Sequence, residues 1–175
     1  MTDPVSEAHA EWMRRGWDDA AEGMATVLDL LRAHRILTDR IALILKPFEL
    51  SFASYELLML LSFTRRGSLS IGHLGRLLQV HSTSVSSTVD RLEAGNLVER
   101  VRANDDRRVV TARITPQGRR LAGSATSVLN DSVFETLGLS KAQGVHLWSV
   151  LRALRANAGD FDVVSNRTGR TGERQ

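Results

Sequence analysis

The stretch SIGHLGRLLQVHSTSVSSTVDRLEAGNLVERVRANDDRRVVTARIT, residues 70–115, decides the fold class of this chain. Apolar residues recur at helical spacing in residues 70–78 and again in 82–95, which predicts two helices joined by a short turn. In the first helix Ile71, Leu74, Leu77 and Leu78 are expected to point inward, and Gly95 is expected to end the second in a left-handed conformation. In two segments, 97–102 and 108–114, apolar and polar residues alternate. These segments flank the polar, charged residues 103–107 and predict a β-hairpin with an exposed tip. Two helices followed by a two-stranded ribbon are the layout of a winged helix-turn-helix, a DNA-binding lobe.

The second of these helices divides into an apolar and a polar stripe. Val85, Val89 and Leu92 fall at positions i, i+4 and i+7 and predict its buried face. The polar stripe consists of Ser84, Ser87, Thr88 and Arg91. Short hydroxyl side chains let a helix approach a DNA groove and offer hydrogen bonds to bases and phosphates. A Ser/Thr-rich surface helix is the alternative, but this composition has low helix propensity and favours a functional reason.

The predicted hairpin concentrates charge beside that helix. Arg102, Arg107 and Arg108 lie within seven residues, around Asp105 and Asp106. Arginines on a β-ribbon next to a recognition helix are placed to reach phosphates and an adjacent minor groove. An acidic neighbour holds a guanidinium in register. The predicted DNA-contacting residues are therefore Ser82, Thr83, Ser84, Ser86, Ser87, Thr88, Arg91, Arg102, Asn104, Asp106, Arg107 and Arg108.

Charge is distributed unevenly along the chain, although its net charge is only +3. Residues 1–50 contain six Lys/Arg against nine Asp/Glu, a balance of −3. Residues 62–125 contain eleven Arg against five Asp/Glu, a balance of +6. Such asymmetry predicts that the middle of the chain faces a polyanion, here double-stranded DNA. A solvated basic face is the alternative interpretation.

Long helical patterns flank the predicted lobe. Apolar residues from Met24 to Leu45 recur at spacings of three and four, after a short leading helix that Gly16 breaks and before Pro47. Thr115 and Pro116 predict a cap and a first-turn proline at the start of the helix after the hairpin. A capping-box match at Ser140 opens the last helix. The apolar side of that helix consists of Val145, Leu147, Trp148, Leu151 and Leu154. The apolar surface of these stripes is larger than a small lobe can cover, so we expect the helices to pack in a homodimer.

The predicted fold class is mainly α with a small β-hairpin wing, an α+β arrangement. We expect N-terminal dimerisation helices at 1–48 and a winged helix-turn-helix lobe at 49–115. C-terminal dimerisation helices are expected at 116–158. Residues 159–175 show no periodicity and predict a loose tail.

Several other classes of protein are disfavoured. The chain has no cysteine, which excludes disulfides and thiolate catalysis. Its longest apolar runs, 41–45 and 57–61, are too short for a membrane span, and its N-terminus lacks a secretory pattern. We therefore expect a cytoplasmic protein without membrane contact.

Catalysis and cofactor binding are likewise disfavoured. No hydrolase, metalloprotease, P-loop or dinucleotide-binding motif occurs. The five histidines show no i, i+4 pair, which predicts no metal or other cofactor, although a site assembled across helices stays an alternative. The prediction is that the chain is not an enzyme. A helical scaffold that binds protein is the remaining alternative, and salt-dependent DNA affinity distinguishes it from a DNA-binding protein.

The chain from residue 50 to residue 118 resembles the MarR family of bacterial regulators. The family's wing motif, Asp-x-Arg, falls on Asp106 and Arg108. Its following Leu-Thr-x-x-Gly step falls on residues 114–118, with Ile114 in place of leucine. The matching stretches are LSFASYELLMLL (50–61), SIGHLGRLLQVHSTSVSSTVDRLEAGNLVER (70–100) and NDDRRVVTARITPQG (104–118).

The resemblance implies a function and roles for individual residues. In the family the wing arginine, here Arg108, enters the minor groove, and the aspartate, here Asp106, orients the basic side chains of the wing. The resemblance further implies a homodimer on a near-palindromic operator. Such regulators usually repress a nearby gene and are often released by a small anionic or phenolic ligand.

Four residues are candidates for binding that ligand: Trp12, Trp17, His34 and Tyr55. The family binds ligands in a cleft between the dimer helices and the lobe, and core or dimer packing is the alternative role for these side chains. The N-terminal extension with its two tryptophans is similar to a urate-responsive branch of the family. That branch carries an arginine on the recognition helix where this chain has Thr88. A cysteine-based peroxide switch is excluded because cysteine is absent.

Overall fold

The computed structural model describes residues 2–102 and 110–161. The described chain forms two compact units, the first ending at Glu135 and the second beginning at Thr136. The elements in chain order are α1 (Pro4–Arg14), α2 (Asp18–Leu45), a 3-10 turn (Lys46–Phe48), α3 (Phe52–Phe63), β1 (Ser68–Ser70), α4 (Ile71–Leu78), α5 (Ser82–Ala94), β2 (Val98–Arg102), β3 (Val110–Ile114), α6 (Pro116–Leu129), a π-helical turn (Asn130–Phe134) and α7 (Lys141–Asn157). The predicted fold class, mainly helical with a small sheet, is confirmed.

The two N-terminal helices form a hairpin that turns at Gly16. The carboxylate of Asp3 caps α1 by accepting from two backbone N–H groups of the first turn. Gly16 adopts φ +72°, a left-handed conformation that favours glycine. Within the described chain, α2 buries just Ala21 and Leu45 over its 28 residues. Large apolar side chains of α2 are therefore exposed, among them Val27, Leu31, Ile36 and Leu43.

A single core holds α3 to α6 together. Ser51 caps α3 by accepting from the Ser54 N–H at 3.1 Å. The inner side of α3 contributes three leucines that are fully buried. The core comprises Leu45, Leu50, Tyr55, Leu57, Leu58, Leu61, Leu74, Val85, Val89, Leu92, Leu97, Val98, Ala112, Ile114, Ala122, Ala125, Leu129 and Val133. Burial of this apolar surface is the main force that stabilises the lobe.

The sheet contains one strand more than the sequence predicted. Its order is β1-β3-β2, and both pairings are antiparallel. Ala112 in the central strand lies opposite Leu69 of β1 and Arg100 of β2. The hairpin of β2 and β3 confirms the prediction over its described part. Strand β1 was missed because three residues are too few to show an alternating pattern.

Helix α6 packs closely against the end of the hairpin. Thr115 caps it by accepting from the Gly118 N–H at 3.0 Å, and Pro116 occupies its first position, as predicted. A Cβ atom added at Gly118 would lie 2.1 Å from the carbonyl oxygen of Leu97. Glycine therefore permits this close approach. The π-helical turn after Leu129 was not predicted.

Two local predictions in the helix-turn-helix were wrong. Leu77 was expected to point inward, but its side chain is 49% exposed because α4 turns only Leu74 fully into the core. Gly95 was expected to end α5 in a left-handed conformation, but it has φ −84°. The left-handed residue is Asn96, with φ +57°, a conformation that asparagine tolerates.

The second unit contains α7. The predicted capping box is confirmed: Ser140 Oγ accepts from the Gln143 N–H, and Gln143 Oε1 accepts from the Ser140 N–H. Its large apolar side chains are exposed, with Trp148 67% exposed. Despite these apolar faces, no helix in the described ranges has both the length and the hydropathy needed to cross a membrane.

Candidate nucleic-acid interface

Helix α5 begins after a compact turn that orients its first residues. Gln79 ends α4 with φ +53°. A Cβ atom at Gly75 would lie 3.1 Å from the Val80 carbonyl oxygen, so the turn folds back closely on α4. His81 caps α5: its Nδ1 atom accepts from the Thr83 N–H at 3.4 Å and lies 3.0 Å from Thr83 Oγ1. The turn and the cap together fix the direction in which α5 leaves α4.

The apolar stripe of α5 is buried as predicted, and its opposite side faces solvent. Val85, Val89 and Leu92 are at most 2% exposed. The exposed residues of the opposite side that were predicted to contact DNA are Ser82, Thr83, Ser84, Ser87 and Arg91. We call these five residues the outer face of α5. Hydroxyls and one guanidinium on a protruding helix suit hydrogen bonding to base edges and phosphates.

Thr88 does not belong to this outer face, which corrects its placement on an exposed polar stripe. Its side chain is 7% exposed. Its Oγ1 atom donates to the Ser84 carbonyl oxygen at 3.0 Å and accepts from Arg91 Nη2 at 3.4 Å. Helical periodicity places Thr88 between the buried and exposed stripes, and the local hydrogen bond lets its hydroxyl be buried. Thr88 therefore supports Arg91 from beneath the outer face.

Ser86 lies on the side of α5 that faces strand β2. It is half-buried, and its carbonyl oxygen accepts from Arg100 Nη2 at 3.2 Å. The same guanidinium contacts the carboxylate of Asp90, and its Nε atom lies 3.3 Å from Glu93 Oε2. The backbone N–H of Arg100 donates to Glu93 Oε1 at 3.1 Å. We call Arg100, Asp90 and Glu93 the helix–wing clamp.

This clamp was not predicted from the sequence. Its signal is the pair of acids at i and i+3 on α5, followed by Arg100, the first of two arginines on the next strand. Charges separated along the chain do not reveal which partners meet, because the pairing depends on the crossing of α5 and β2.

The wing is described up to the base of its tip. Arg102 is the last residue of β2, and Val110 is the first of β3. The predicted DNA contacts Asn104, Asp106, Arg107 and Arg108 lie outside the described residues.

The outer surface of the sheet forms a recess next to the wing. Its volume is about 640 Å³. Arg66 and Arg113 border it together with three hydroxyl side chains, Ser68, Ser70 and Thr111. Arg113 Nη1 is paired with Glu99 Oε1 at 3.3 Å on the same surface. The recess was not anticipated, because β1 was not predicted.

The four candidate ligand residues are not joined by the described contacts. Trp12 and Trp17 pack edge to face with ring centroids 5.2 Å apart, and the Arg15 guanidinium lies 5.6 Å from the Trp17 ring. His34 is exposed on α2, 17 residues beyond Trp17, which is about 25 Å along a helix. Tyr55 is buried, and its hydroxyl lies 3.0 Å from Thr126 Oγ1. Of the four candidates, Trp12 and Trp17 are the two that contact each other within the described chain, so one chain does not bring all four into the shared cleft that was expected.

Tyr55 borders a separate groove of about 310 Å³ along α3. Partial burial raises the pKa of the Glu56 carboxyl in this groove above its ordinary value, because desolvation penalises the charged form. The groove is otherwise apolar, bordered by Phe52, Met59, Leu60, Phe63, Leu77, Leu78 and Phe134. Over residues 2–102 and 110–161, no three His, Asp or Glu side chains are grouped so that they could hold a metal ion.

A protruding polar helix on a helix-turn-helix, next to a three-stranded wing sheet, defines the winged helix-turn-helix class of DNA-binding proteins. Comparison with known proteins supports the assignment to this class. The MarR family profile matches residues 49–109. Sco5413 of Streptomyces coelicolor, a MarR family transcriptional regulator, is 36% identical, with a TM-score of 0.73. That similarity covers 81% of this chain and 98% of Sco5413. The chain therefore belongs to the MarR family of DNA-binding transcriptional regulators.

Two further relatives extend this comparison. The HTH-type transcriptional repressor MdtR of Bacillus subtilis is 33% identical over 63 residues. Those residues are 36% of this chain and 41% of MdtR, so the match spans less than half of that repressor. Sco3205 of Streptomyces coelicolor, solved in complex with DNA, shares the fold with a TM-score of 0.70 at 22% identity. That similarity covers 78% of this chain and 88% of Sco3205.

The different environments of Ser87 and Thr88 predict different effects of removing each hydroxyl. Thr88→Ala should lower the free energy of unfolding by about 1–2 kcal/mol, because a buried hydrogen bond and a buried methyl group are lost. Ser87→Ala, the control at the exposed neighbouring position, should change it by less than about 0.5 kcal/mol. Urea unfolding at matched protein concentration measures both. Equal effects would contradict the burial of Thr88.

Proposed function

We propose that this regulator is a repressor that binds a near-palindromic operator as a homodimer. The observation that carries the proposal is the outer face of α5, which is polar and exposed while the opposite side of the same helix is buried. Val85 and Val89 hold the helix in the lobe, so Ser84, Ser87 and Arg91 point away from it. Such a helix enters the major groove with its side chains toward the base edges.

Within this proposal, α5 and the wing have different tasks. Ser82, Thr83, Ser84, Ser87 and Arg91 read base edges and neighbouring phosphates, while Ser86 and Thr88 support the helix from its inner sides. The wing adds phosphate and minor-groove contacts through Arg102, Asn104, Asp106, Arg107 and Arg108. This division retains each residue predicted from the sequence but moves Ser86 and Thr88 from contact to support.

Each of the two compact units leaves large apolar side chains exposed, and this supports dimerisation. In the first unit, Val27, Leu31, Ile36 and Leu43 of α2 are 55–71% exposed. In the second, Val145, Trp148 and Leu154 of α7 are 57–67% exposed. Water-exposed apolar surface of this extent marks an interaction surface. A two-fold dimer presents two copies of α5 to successive major grooves, about 34 Å apart, which matches a near-palindromic operator.

The dimerisation segments are then 1–48 and 116–158, which flank the lobe at 49–115, with a tail at 159–175. Part of α6, inside the second of these segments, also contributes Ala122 and Leu129 to the core of the lobe. Helix α6 therefore connects DNA-binding lobe and dimerisation region. We further infer, from its membership in a family of DNA-binding regulators, that the protein has no enzymatic activity and acts in the cytoplasm.

We infer that a small phenolic or anionic effector lowers its DNA affinity. Trp12 and Trp17 form an aromatic corner with a cation beside it, a surface suited to an aromatic anion. A ligand acts only through different affinities for two arrangements of the lobes. His34 and Tyr55 lie elsewhere in the same chain and join the effector site only if a second copy or a rearrangement brings them near.

DNA binding is tested with fragments from the chain's own locus. A gel shift should show one fragment bound more tightly than random DNA, with affinity falling as salt rises. Arg91→Ala and Ser87→Ala should alter the preferred bases, at a cost of about 1–3 kcal/mol at the affected positions. Arg120→Ala, an exposed arginine on α6, is the matched control for loss of charge and should leave base preference unchanged. Salt-independent binding without fragment preference would contradict the proposal.

Dimerisation is tested by truncation. A chain ending at residue 139 loses α7 and should sediment as a monomer or aggregate, because the exposed apolar side chains of α7 that we place in the dimer interface are gone. A chain ending at residue 161 keeps α7 and is the control, and it should sediment as a dimer. Analytical ultracentrifugation measures both. A monodisperse, DNA-binding monomer from the shorter chain would show that α7 is not needed for assembly.

Effector binding is tested by tryptophan fluorescence. A phenolic acid such as salicylate should quench the emission over the same concentrations that release DNA, because the ligand lies against Trp12 and Trp17. Trp17→Phe should reduce the quenching and weaken release. Trp148→Phe, on α7, is the control once sedimentation shows that this variant is still a dimer, and it should leave release unchanged. Urate should act poorly, because Thr88 takes the place of the arginine found in urate-responsive relatives. An unchanged response in Trp17→Phe would remove this residue from the effector site.

A further inference from the structure

We propose that Arg100 is a positioning residue for DNA binding: through the helix–wing clamp it sets the direction of the wing relative to the recognition helix. This inference rests on the proposed function, since it concerns how two DNA-binding elements are held in register. Among the predicted DNA-contacting residues whose side chains the structure describes, Arg100 bonds to the backbone of Ser86 and to none of the side chains. It lies on β2, the strand that leads directly into the wing tip.

The clamp spans a long section of the helix. Ser86, Asp90 and Glu93 lie at i, i+4 and i+7 on α5 and therefore share one side. Seven residues cover about 10 Å of helix. The single guanidinium of Arg100 contacts all three positions: the Ser86 carbonyl, the Asp90 carboxylate and the Glu93 carboxylate. A contact over two helical turns restricts rotation of the strand about the helix, which a contact at one point does not.

Glu93 makes a second connection through the backbone. Strand β2 is an edge strand, since the sheet order is β1-β3-β2. The N–H of Arg100 points away from β3 and donates to Glu93 Oε1 at 3.1 Å. The other oxygen of the same carboxylate lies 3.3 Å from Arg100 Nε. The carboxylate of Glu93 thus accepts a hydrogen bond from the main chain of Arg100 and lies within ion-pair distance of its side chain, and this holds the edge strand against α5.

The clamp determines the relative orientation of β2 and α5 more than it adds to the free energy of folding. The side chains of Arg100, Asp90 and Glu93 are 30%, 65% and 43% exposed. Ion pairs at such exposure contribute roughly 0–1 kcal/mol to folding. The apolar stripe of α5 and the ladder of β2 with β3 hold the two elements in place without it. The apolar contacts do not determine the angle between β2 and α5, because hydrophobic burial is non-directional.

Charge compensation is a competing explanation. Asp90 and Glu93 place two negative charges on the recognition helix, and Arg100 offsets part of that charge near the phosphates of DNA. If compensation were the only role, Arg100→Lys would preserve it, and Asp90→Ala would strengthen DNA binding by removing a repulsive charge. If Arg100 positions the wing, both substitutions weaken the contribution of the wing, since lysine lacks the planar fork that contacts several acceptors at once.

The test is a double-mutant cycle between the clamp and the wing tip, measured by fluorescence anisotropy on the fragment selected in the gel shift. Arg108→Ala should weaken binding about tenfold in the native background, through loss of a wing contact. In the Arg100→Lys background, and separately in the Asp90→Ala background, the same change should weaken binding less than about threefold, because the wing is no longer held in register. Thermal unfolding of each background should stay within a few degrees of the native chain.

Arg113→Lys is the matched control. Arg113 lies on β3 and forms one ion pair with Glu99 on the outer surface of the same sheet. In this background Arg108→Ala should retain its full tenfold effect. Additive effects in both clamp backgrounds, or tighter binding by Asp90→Ala with the effect of Arg108→Ala unchanged, would overturn the positioning role. Failure of the native chain to prefer any fragment would instead refute the proposed function, so the two failures are distinguishable.

Discussion

The burial of Val85, Val89 and Leu92 against the lobe is the interaction on which the rest of the structure depends. These side chains are at most 2% exposed, and a helix offers just one side that lies opposite such a stripe. Rotation of α5 by one residue, about 100°, would bury hydroxyls and expose valine. The direction of the outer face is therefore set by hydrophobic packing and not by the polar residues that the face displays.

A second constraint concerns the elements around the recognition helix. The capped turn at His81 fixes where α5 begins, and the close contact between Gly118 and Leu97 fixes where α6 leaves the hairpin. Between them, the helix–wing clamp relates β2 to α5 through directional contacts. Apolar packing holds these elements together, while hydrogen bonds and ion pairs determine their angles. Recognition of DNA depends on those angles, because base edges and phosphates are contacted over short distances.

The sequence predicted those features that depend on local periodicity and capping. The stripe of Val85, the cap at Thr115 and the break at Gly16 each follow from residues close in the chain. Features that depend on tertiary contacts were missed or misplaced. Strand β1 is recognisable only from its pairing with β3, and Arg100 meets its acids only where strand and helix cross. Thr88 shows the same limit: a threonine between two stripes is buried or exposed according to the neighbouring elements.

DNA cleavage from a single site on the protein tests most directly whether the outer face of α5 enters a DNA groove. Because the chain has no cysteine, Ser87→Cys creates a single attachment point for a DNA-cleaving iron chelate. Ser124→Cys, exposed on α6, is the control. If this face enters a groove, the Ser87→Cys conjugate should cleave the bound fragment in two clusters, centred about 10 base pairs or a multiple of this apart, and the control should cleave much more weakly. Equal cleavage from both conjugates, or none from Ser87→Cys on bound DNA, would contradict it.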